Sequence, residues 1–214
     1  MDYDGPQLSI DVSEGVRVMV NGGIVVYPTD TVYGLGADVF NTAAVERVFE
    51  AKGRPKGMPL PVLVPSIDSL CIIAQNIPSI AWILADKFWP GPLTLILPSR
   101  PEIPSVITAR GWTVAARIPD HPVPLALTRA LGAPITGTSA NRTGHPVPAT
   151  ISEAREQLEN RVDFLISSGP KPSGQASTIL DITQSPPRIL RSGIIPYSAL
   201  AAFVPEIQPP SGGN

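Results

Sequence analysis

Two hydrophobic periods alternate along the 214 residues. Short, largely apolar runs at 24–27, 60–64, 93–97, 113–118, 163–167 and 178–182 read as strands. Between them, apolar residues recur every three or four positions, as Val45, Val48 and Phe49 do, which places them on one helical face. These segments predict a first helix capped by Ser13 and stopped by Asn21-Gly22-Gly23, and a second over 42–51. Ser66 and Ser79 cap two more, and residues 122–131 form another that stops at Gly132. Thr150 and Glu153 make a capping box for a helix through Leu158, and 196–203 closes with a short helix. Several strands follow one another without an intervening helix, so the sheet is mixed rather than purely parallel. No internal repeat and no dividing linker is visible. The expected architecture is one α/β domain over 8–204, a twisted sheet of parallel and antiparallel strands flanked by helices. A Pro/Ser/Gly-rich tail over 205–214 is expected to be disordered.

Composition narrows the chemistry. The 26 prolines lie between the apolar runs and punctuate a compact fold. A formal net charge of −2 argues against a dedicated nucleic-acid binder, which would carry a basic face, though it leaves room for a local basic cleft. Cys71 is the single cysteine, so an intramolecular disulfide is excluded; its apolar neighbours suggest a core position. The acidic, polar start and the lack of any long apolar run suggest a cytoplasmic protein without a membrane segment.

Candidate chemistry concentrates in a few segments. Lys52-Gly53-Arg54-Pro55-Lys56-Gly57 packs three cations between glycines and prolines just past a helix. It reads either as a phosphate-binding loop, with Arg54 as a fork and Lys52 as a point charge, or as a solvated surface loop. Residues 28–36 follow a buried strand and offer Thr29, Asp30, Thr31 and Tyr33 where ligands commonly bind in α/β sheets. Arg117 ends a strand; if it points inward it needs an anionic partner, either a substrate carboxylate or Asp120. Ser139 and Asn141 pair a hydroxyl with an amide, and Ser177, Thr178 and Arg191 are useful only if they converge with the rest. His121 and His145 read as surface-loop residues with no carboxylate spaced for a zinc site. There is no Walker A loop, no dinucleotide fingerprint and no Gly-x-Ser-x-Gly elbow. The inventory is cations and hydroxyls without a clear nucleophile, which suits binding and charge stabilisation of a reaction between substrates.

These segments together resemble the YrdC family: Pro-Thr-Asp-Thr-Val-Tyr-Gly-Leu-Gly at 28–36, Lys-Gly-Arg-Pro at 52–55, Trp-Pro-Gly-Pro-Leu-Thr at 89–94, Val-Ala-Ala-Arg-Ile-Pro at 114–119, Ser-Ala-Asn at 139–141 and Ser-Thr-Ile-Leu-Asp at 177–181. The match runs in the family's order over about 13–195. It implies a twisted mixed α/β sheet around a central basic cavity and, by the short length, the single-domain form. It also implies a threonylcarbamoyl-AMP synthase, a nucleotidyltransferase using L-threonine, bicarbonate and ATP with Mg²⁺ carried on the ATP phosphates. Its product would pass to a tRNA threonylcarbamoyl transferase, and any RNA contact would be weak.

By the same resemblance, Thr29, Arg117 and Ser177 contact the threonine, with Arg117 clamping its carboxylate. Lys52 and Arg54 are the catalytic phosphate pair, and Thr113, Ser139, Asn141 and Arg191 join them around the nucleotide. The chain departs from many relatives at Leu63, where they carry a histidine, and at Val147, where a polar side chain is common. Two other readings stay open: an adenylate-forming enzyme with another carbamoyl donor, and a non-catalytic RNA-binding module.

Overall fold

The computed structural model describes residues 6–158 and 161–209. In chain order the elements are α1 (Pro6–Val20), β1 (Val25–Tyr27), β2 (Gly34–Gly36), α2 (Thr42–Lys52), β3 (Val62–Leu63), α3 (Leu70–Ile73), α4 (Ser79–Phe88), β4 (Leu93–Pro98), β5 (Thr113–Arg117), α5 (Pro122–Leu131), β6 (Ile135–Thr136), β7 (Thr138–Ser139), α6 (Ile151–Leu158), β8 (Phe164–Leu165), β9 (Thr178–Asp181), β10 (Arg188–Arg191) and α7 (Tyr197–Ala201).

The strands form two sheets rather than the expected one, ordered β7-β2-β1-β8 and β10-β9-β4-β5-β3-β6. Both are mixed: β1–β8, β3–β5 and β4–β9 run parallel, and the remaining pairs are antiparallel. The sheets abut where the chain leaving β2 meets β6, with Thr136 N–H donating to Ala37 O at 2.9 Å and Val39 N–H to Pro134 O at 3.1 Å. An isolated bridge between Asp38 and Ile135 joins them there, outside the regular ladders.

Helix ends follow local chemistry. The Asn41 side chain accepts from Ala44 N–H to start α2, and Gly53 ends it at φ 58°. That left-handed turn suits glycine and sends Arg54 away from the helix axis. Pro122 opens α5 and Gly132, at φ 70°, closes it. Ser13 is not a cap: it lies inside α1, its hydroxyl donating to Ser9 O at 2.8 Å. β2 was expected to be loop. Gly34 and Gly36 pass so close to the Tyr27 ring that an added Cβ at Gly34 would sit 2.7 Å from it, so the strand exists through side-chain-free contact across the pair.

The larger core packs the inner face of the six-stranded sheet, through Leu93, Leu95, Leu97, Val114, Ala116 and Leu180, against α2, α3 and α4. A second core joins α1 and α5 to β1 and β8 through Leu8, Val12, Met19, Val25, Leu127 and Ile166. The other face of the six-stranded sheet stays half-open: Ile96, Pro98, Thr113, Ala115, Ile179 and Asp181 are only partly buried. Successive strand residues alternate between faces, so Arg117 and Thr94 share the half-open one.

Three local expectations change. Cys71 is exposed, because the one-turn α3 turns Leu70 and Ile73 inward and Cys71 outward. His121 is buried as the N-cap of α5: Nδ1 accepts Val123 N–H at 3.2 Å, so Nε2 donates to Pro170 O at 3.0 Å. The segment expected to be disordered from 205 is docked as far as Pro209. Ile207 is buried and Gln208 bridges to Arg188, with Gln208 N–H donating to Pro187 O at 2.8 Å. The rest of that tail, 210–214, lies outside the described residues.

Candidate functional site

Two polar clusters lie at the ends of one loop. The first centres on Arg117, which is 6% exposed at the end of β5. Its Nε donates to Gly91 O at 2.8 Å, Nη1 to Thr31 Oγ1 at 2.8 Å, and Nη2 to both carboxylate oxygens of Asp30 at 2.5 Å. A buried guanidinium does require an anion, as the sequence suggested, but the partner is Asp30 and not Asp120. Asp120 is exposed, past the strand end. Burial lowers the pKa of Arg117, and Asp30 opposes that shift. Such a guanidinium remains charged at any working pH.

Ser177 and Arg191 meet on the same side. Arg191 donates to Ser177 O at 2.9 Å and to Ser177 Oγ at 2.9 Å. Ser177 Oγ lies 2.8 Å from Thr94 Oγ1. Thr94 was not expected to take part; its place in the Trp-Pro-Gly-Pro-Leu-Thr run was the available signal. Thr29 is buried, and its hydroxyl donates to Val32 O at 2.6 Å while accepting from the N–H groups of Thr31 and Val32. It shapes the loop from within, and Thr31 supplies the hydroxyl that meets Arg117.

The second cluster centres on Lys52, 2% exposed at the last position of α2. Its ammonium donates to Ser139 O, to Asn141 O at 2.7 Å and to Asn141 Oδ1 at 3.2 Å. Ser139 Oγ donates to Asn141 Oδ1 at 2.6 Å, and Asn141 Nδ2 donates to His145 O at 2.7 Å. Lys52, Ser139 and Asn141 therefore do converge. Burial first, and then the charge of Arg54, lower the Lys52 pKa to about 7. Three oxygen acceptors match the three donors of the charged form, which opposes that shift.

Arg54 is turned onto its own loop, donating to Pro59 O at 2.9 Å. Thr113 does not join either cluster. It is at the start of β5, about 13 Å along the strand from Arg117. The preceding residue, Trp112, helps line a depression of about 380 Å³ with Ser99, Arg100 and Arg110, among others. Leu63 is buried against Gly137 and offers no polar atom, and Val147 is exposed.

The 28–33 loop ties the clusters together. Asp30 and Thr31 engage Arg117, while Tyr33 O accepts Ala140 N–H at 2.8 Å inside the Ser-Ala-Asn turn. Over the loop passes a strap at 168–174, whose Ser173 and Gly174 N–H groups donate to Asp30 O and Thr31 O at 3.2 and 2.8 Å. Among the described residues, no group of three or more His, Cys, Asp or Glu could hold a metal, and no helix is long and apolar enough to cross a membrane.

The fold is a mixed α/β one with a half-open sheet face, a buried arginine at one end of the 28–33 loop and a buried lysine at the other. The chain belongs to the Sua5/YciO/YrdC family, described as telomere recombination, which matches residues 17–193. It is 41% identical over 187 residues to the threonylcarbamoyl-AMP synthase of Pyrococcus abyssi, covering 87% of this chain and 55% of that protein. It is 39% identical over 202 residues to the Bacillus subtilis threonylcarbamoyl-AMP synthase, covering 94% of this chain and 58% of that one. The crystal structure of P. abyssi Sua5 complexed with L-threonine superposes with a TM-score of 0.89 at 39% identity, over 92% of this chain and 58% of that chain. The chain thus spans little more than half the length of these relatives.

Proposed function

We propose that this chain forms threonylcarbamoyl-AMP and pyrophosphate from L-threonine, bicarbonate and ATP. The observation that carries the reading is the single loop, 28–33, that joins a buried carboxylate-type receptor at Arg117 to a buried cation at Lys52. One small acid and one polyphosphate would then be held at the two ends of one loop. The names of the P. abyssi and B. subtilis relatives, and the threonine complex of P. abyssi Sua5, support it.

In this reading Arg117 holds the threonine carboxylate and Ser177 the threonine side of the cleft. Thr29 acts one step removed, by shaping the turn that presents Thr31. The amine, as its neutral form, adds to carbon dioxide to give a carbamate, losing a proton to solvent. A carbamate oxygen then attacks the α-phosphorus in line, and the bond to the pyrophosphate oxygen breaks. Lys52 supplies positive charge where negative charge builds up. Arg54 joins it by turning from its own loop carbonyls to the phosphates, near Ser139 and Asn141. Arg191 faces the nucleotide from β10, and Thr113 stands at the far edge of the cleft.

Mg²⁺ enters with ATP as part of the substrate, and its charge would offset that of the phosphates. The product would serve a tRNA threonylcarbamoyl transferase in the cytoplasm, with at most weak RNA contact by this chain.

The test is pyrophosphate release from ATP and bicarbonate, with and without L-threonine, with mass analysis of the adenylate. Threonine-dependent release of a threonylcarbamoyl-AMP product, lost in Lys52→Ala and Arg54→Ala with the fold intact, is expected. Release that ignores threonine, or full activity in both variants, would overturn the proposal.

A further inference from the structure

The loop at 28–33 is held from outside by the strap at 168–174, and a side chain at the start of α5 holds the strap. Gly169 and Gly174 bracket the strap at φ 96° and 82°, backbone that glycine adopts without strain. Between them Pro170 and Pro172 fix two more φ angles, so the strap is stiff and moves as one piece. At its far end Ser173 N–H donates to Asp30 O and Gly174 N–H to Thr31 O, at 3.2 and 2.8 Å. Those are the two residues whose side chains hold Arg117.

At its near end the strap meets His121. Pro122 keeps the residue before it in extended backbone, φ −153° and ψ 131°, so His121 stands just outside α5 as its N-cap. Nδ1 accepts Val123 N–H, which leaves the ring proton on Nε2, and Nε2 donates to Pro170 O at 3.0 Å. His121 is 2% exposed. Burial lowers its pKa, against the Pro170 carbonyl and the charges of Asp30 and Asp120, so the neutral ring with this tautomer persists at neutral pH. Gly169 passes flush against the imidazole: an added Cβ would lie 3.1 Å from both His121 Cε1 and Val123 Cγ2. Ser, Asp or Asn would cap α5 at least as well as histidine. Only the bond from Nε2, which reaches 49 residues along the chain, calls for the longer ring.

We infer that His121 is a positioning residue for the small-acid receptor: through Pro170 it holds the strap that keeps Asp30 and Thr31 set against Arg117. The inference rests on the reading of Arg117 as the threonine carboxylate receptor, and His121 itself touches no substrate. Without the tie the strap leaves the loop part of the time. The receptor is then complete in only a fraction of the molecules, and threonine affinity falls by that fraction. The Lys52 cluster is braced separately, through Ala140 N–H and Tyr33 O, so MgATP binding is unaffected.

The two bonds of the ring can be separated by length. An asparagine amide reaches about as far as Nδ1, and a glutamine amide about as far as Nε2. His121→Asn keeps the cap and loses the strap; His121→Gln keeps a donor for Pro170 O and loses the cap. Titration calorimetry with L-threonine alone and with MgATP alone, beside thermal unfolding, reads the outcome. His121→Asn should bind threonine about three- to tenfold more weakly, the value of one hydrogen bond, with MgATP affinity unchanged. His121→Gln should melt about 2–4 °C lower, from the lost cap, yet bind threonine as the wild type does. Threonine affinity then follows the strap bond and not stability. Unchanged threonine binding in His121→Asn, an equal loss in both variants, or a parallel loss of MgATP would overturn the inference.

If His121→Asn does not fold, Gly169→Ala decides from the other side. Its Cβ drives the strap off the ring, and threonine should weaken by a similar factor with MgATP kept; unchanged threonine binding overturns the inference. Arg117→Gln separates the two layers. If it loses threonine while the His121 and Gly169 variants do not, this inference alone falls. Retained threonine binding in Arg117→Gln removes the receptor reading and the inference with it.

Discussion

Arg117 and Lys52 are both buried cations, and the fold treats them differently. Arg117 has a formal counter-charge in Asp30. Lys52 has only neutral oxygens, from Ser139 and Asn141, so its charged form has no counter-charge within the cluster. The difference suits two kinds of ligand. A small acid brings one negative charge and meets a cation that is already partly balanced. A polyphosphate brings several negative charges and fits a receptor with excess positive charge. The loop at 28–33 serves both: its middle supplies the counter-charge and its end braces the Ser-Ala-Asn turn.

The largest effect that would break this comparison lies in the ion pair. Asp30→Asn leaves Arg117 buried without its anion, and losing one partner of a buried pair costs about 3–5 kcal/mol. For a chain of this size each kcal/mol is worth about 2–4 °C, so the melting temperature should fall by roughly 6–20 °C. Arg117→Gln should cost less, because Asp30 is the partner nearer water. Thermal unfolding followed by circular dichroism checks both values; a smaller loss in Asp30→Asn than in Arg117→Gln would contradict the account.

A smaller effect sharpens the comparison at the other end. A Lys52 pKa of about 7 in the empty site means that most of the population is neutral at pH 8. A bound phosphate favours the charged form and raises that pKa again. The complex then holds more protons than the free protein between the two values. Binding of MgATP at pH 8 should take up part of a proton, and affinity should fall as pH rises from 6.5 to 8.5, beyond any change from ATP itself. Calorimetry in buffers of different ionisation enthalpy measures the uptake. Lys52→Gln should abolish it, while an Arg117 variant should not.

Much of this frame was legible in the sequence where local chemistry decides. Gly132 stops its helix where expected, because a left-handed residue is a local requirement. The half-buried arginine strand was visible in the apolar run that precedes Arg117. What escaped depends on distant contacts. β2 has little strand propensity and exists because the Tyr27 ring needs glycines opposite it. β10 was not expected at all: a four-residue strand after two prolines, it is held by β9 and leaves Leu190 and Arg191 exposed. His121 resembled a loop residue until the strap at 168–174 closed over it.

The site follows the same rule. Lys52, Ser139 and Asn141, grouped from two separate segments through the family pattern, lie in hydrogen-bond contact. The partner of Arg117 was sought three residues away at Asp120, but it lies 87 residues away at Asp30. Thr29 was assigned a direct contact, whereas its hydroxyl holds the turn and Thr31 faces the guanidinium. Neighbours in sequence share a loop, and only the fold decides which of their side chains looks into the cleft.

The central claim is that Arg117 and Lys52 are separate receptors at the two ends of one cleft. The most direct test titrates L-threonine without ATP, and MgATP without threonine, into Arg117→Gln and Lys52→Gln, each shown to be folded. The account predicts that Arg117→Gln loses threonine and keeps MgATP, and that Lys52→Gln weakens MgATP and keeps threonine. Variants that lose both ligands together, or neither, would contradict it.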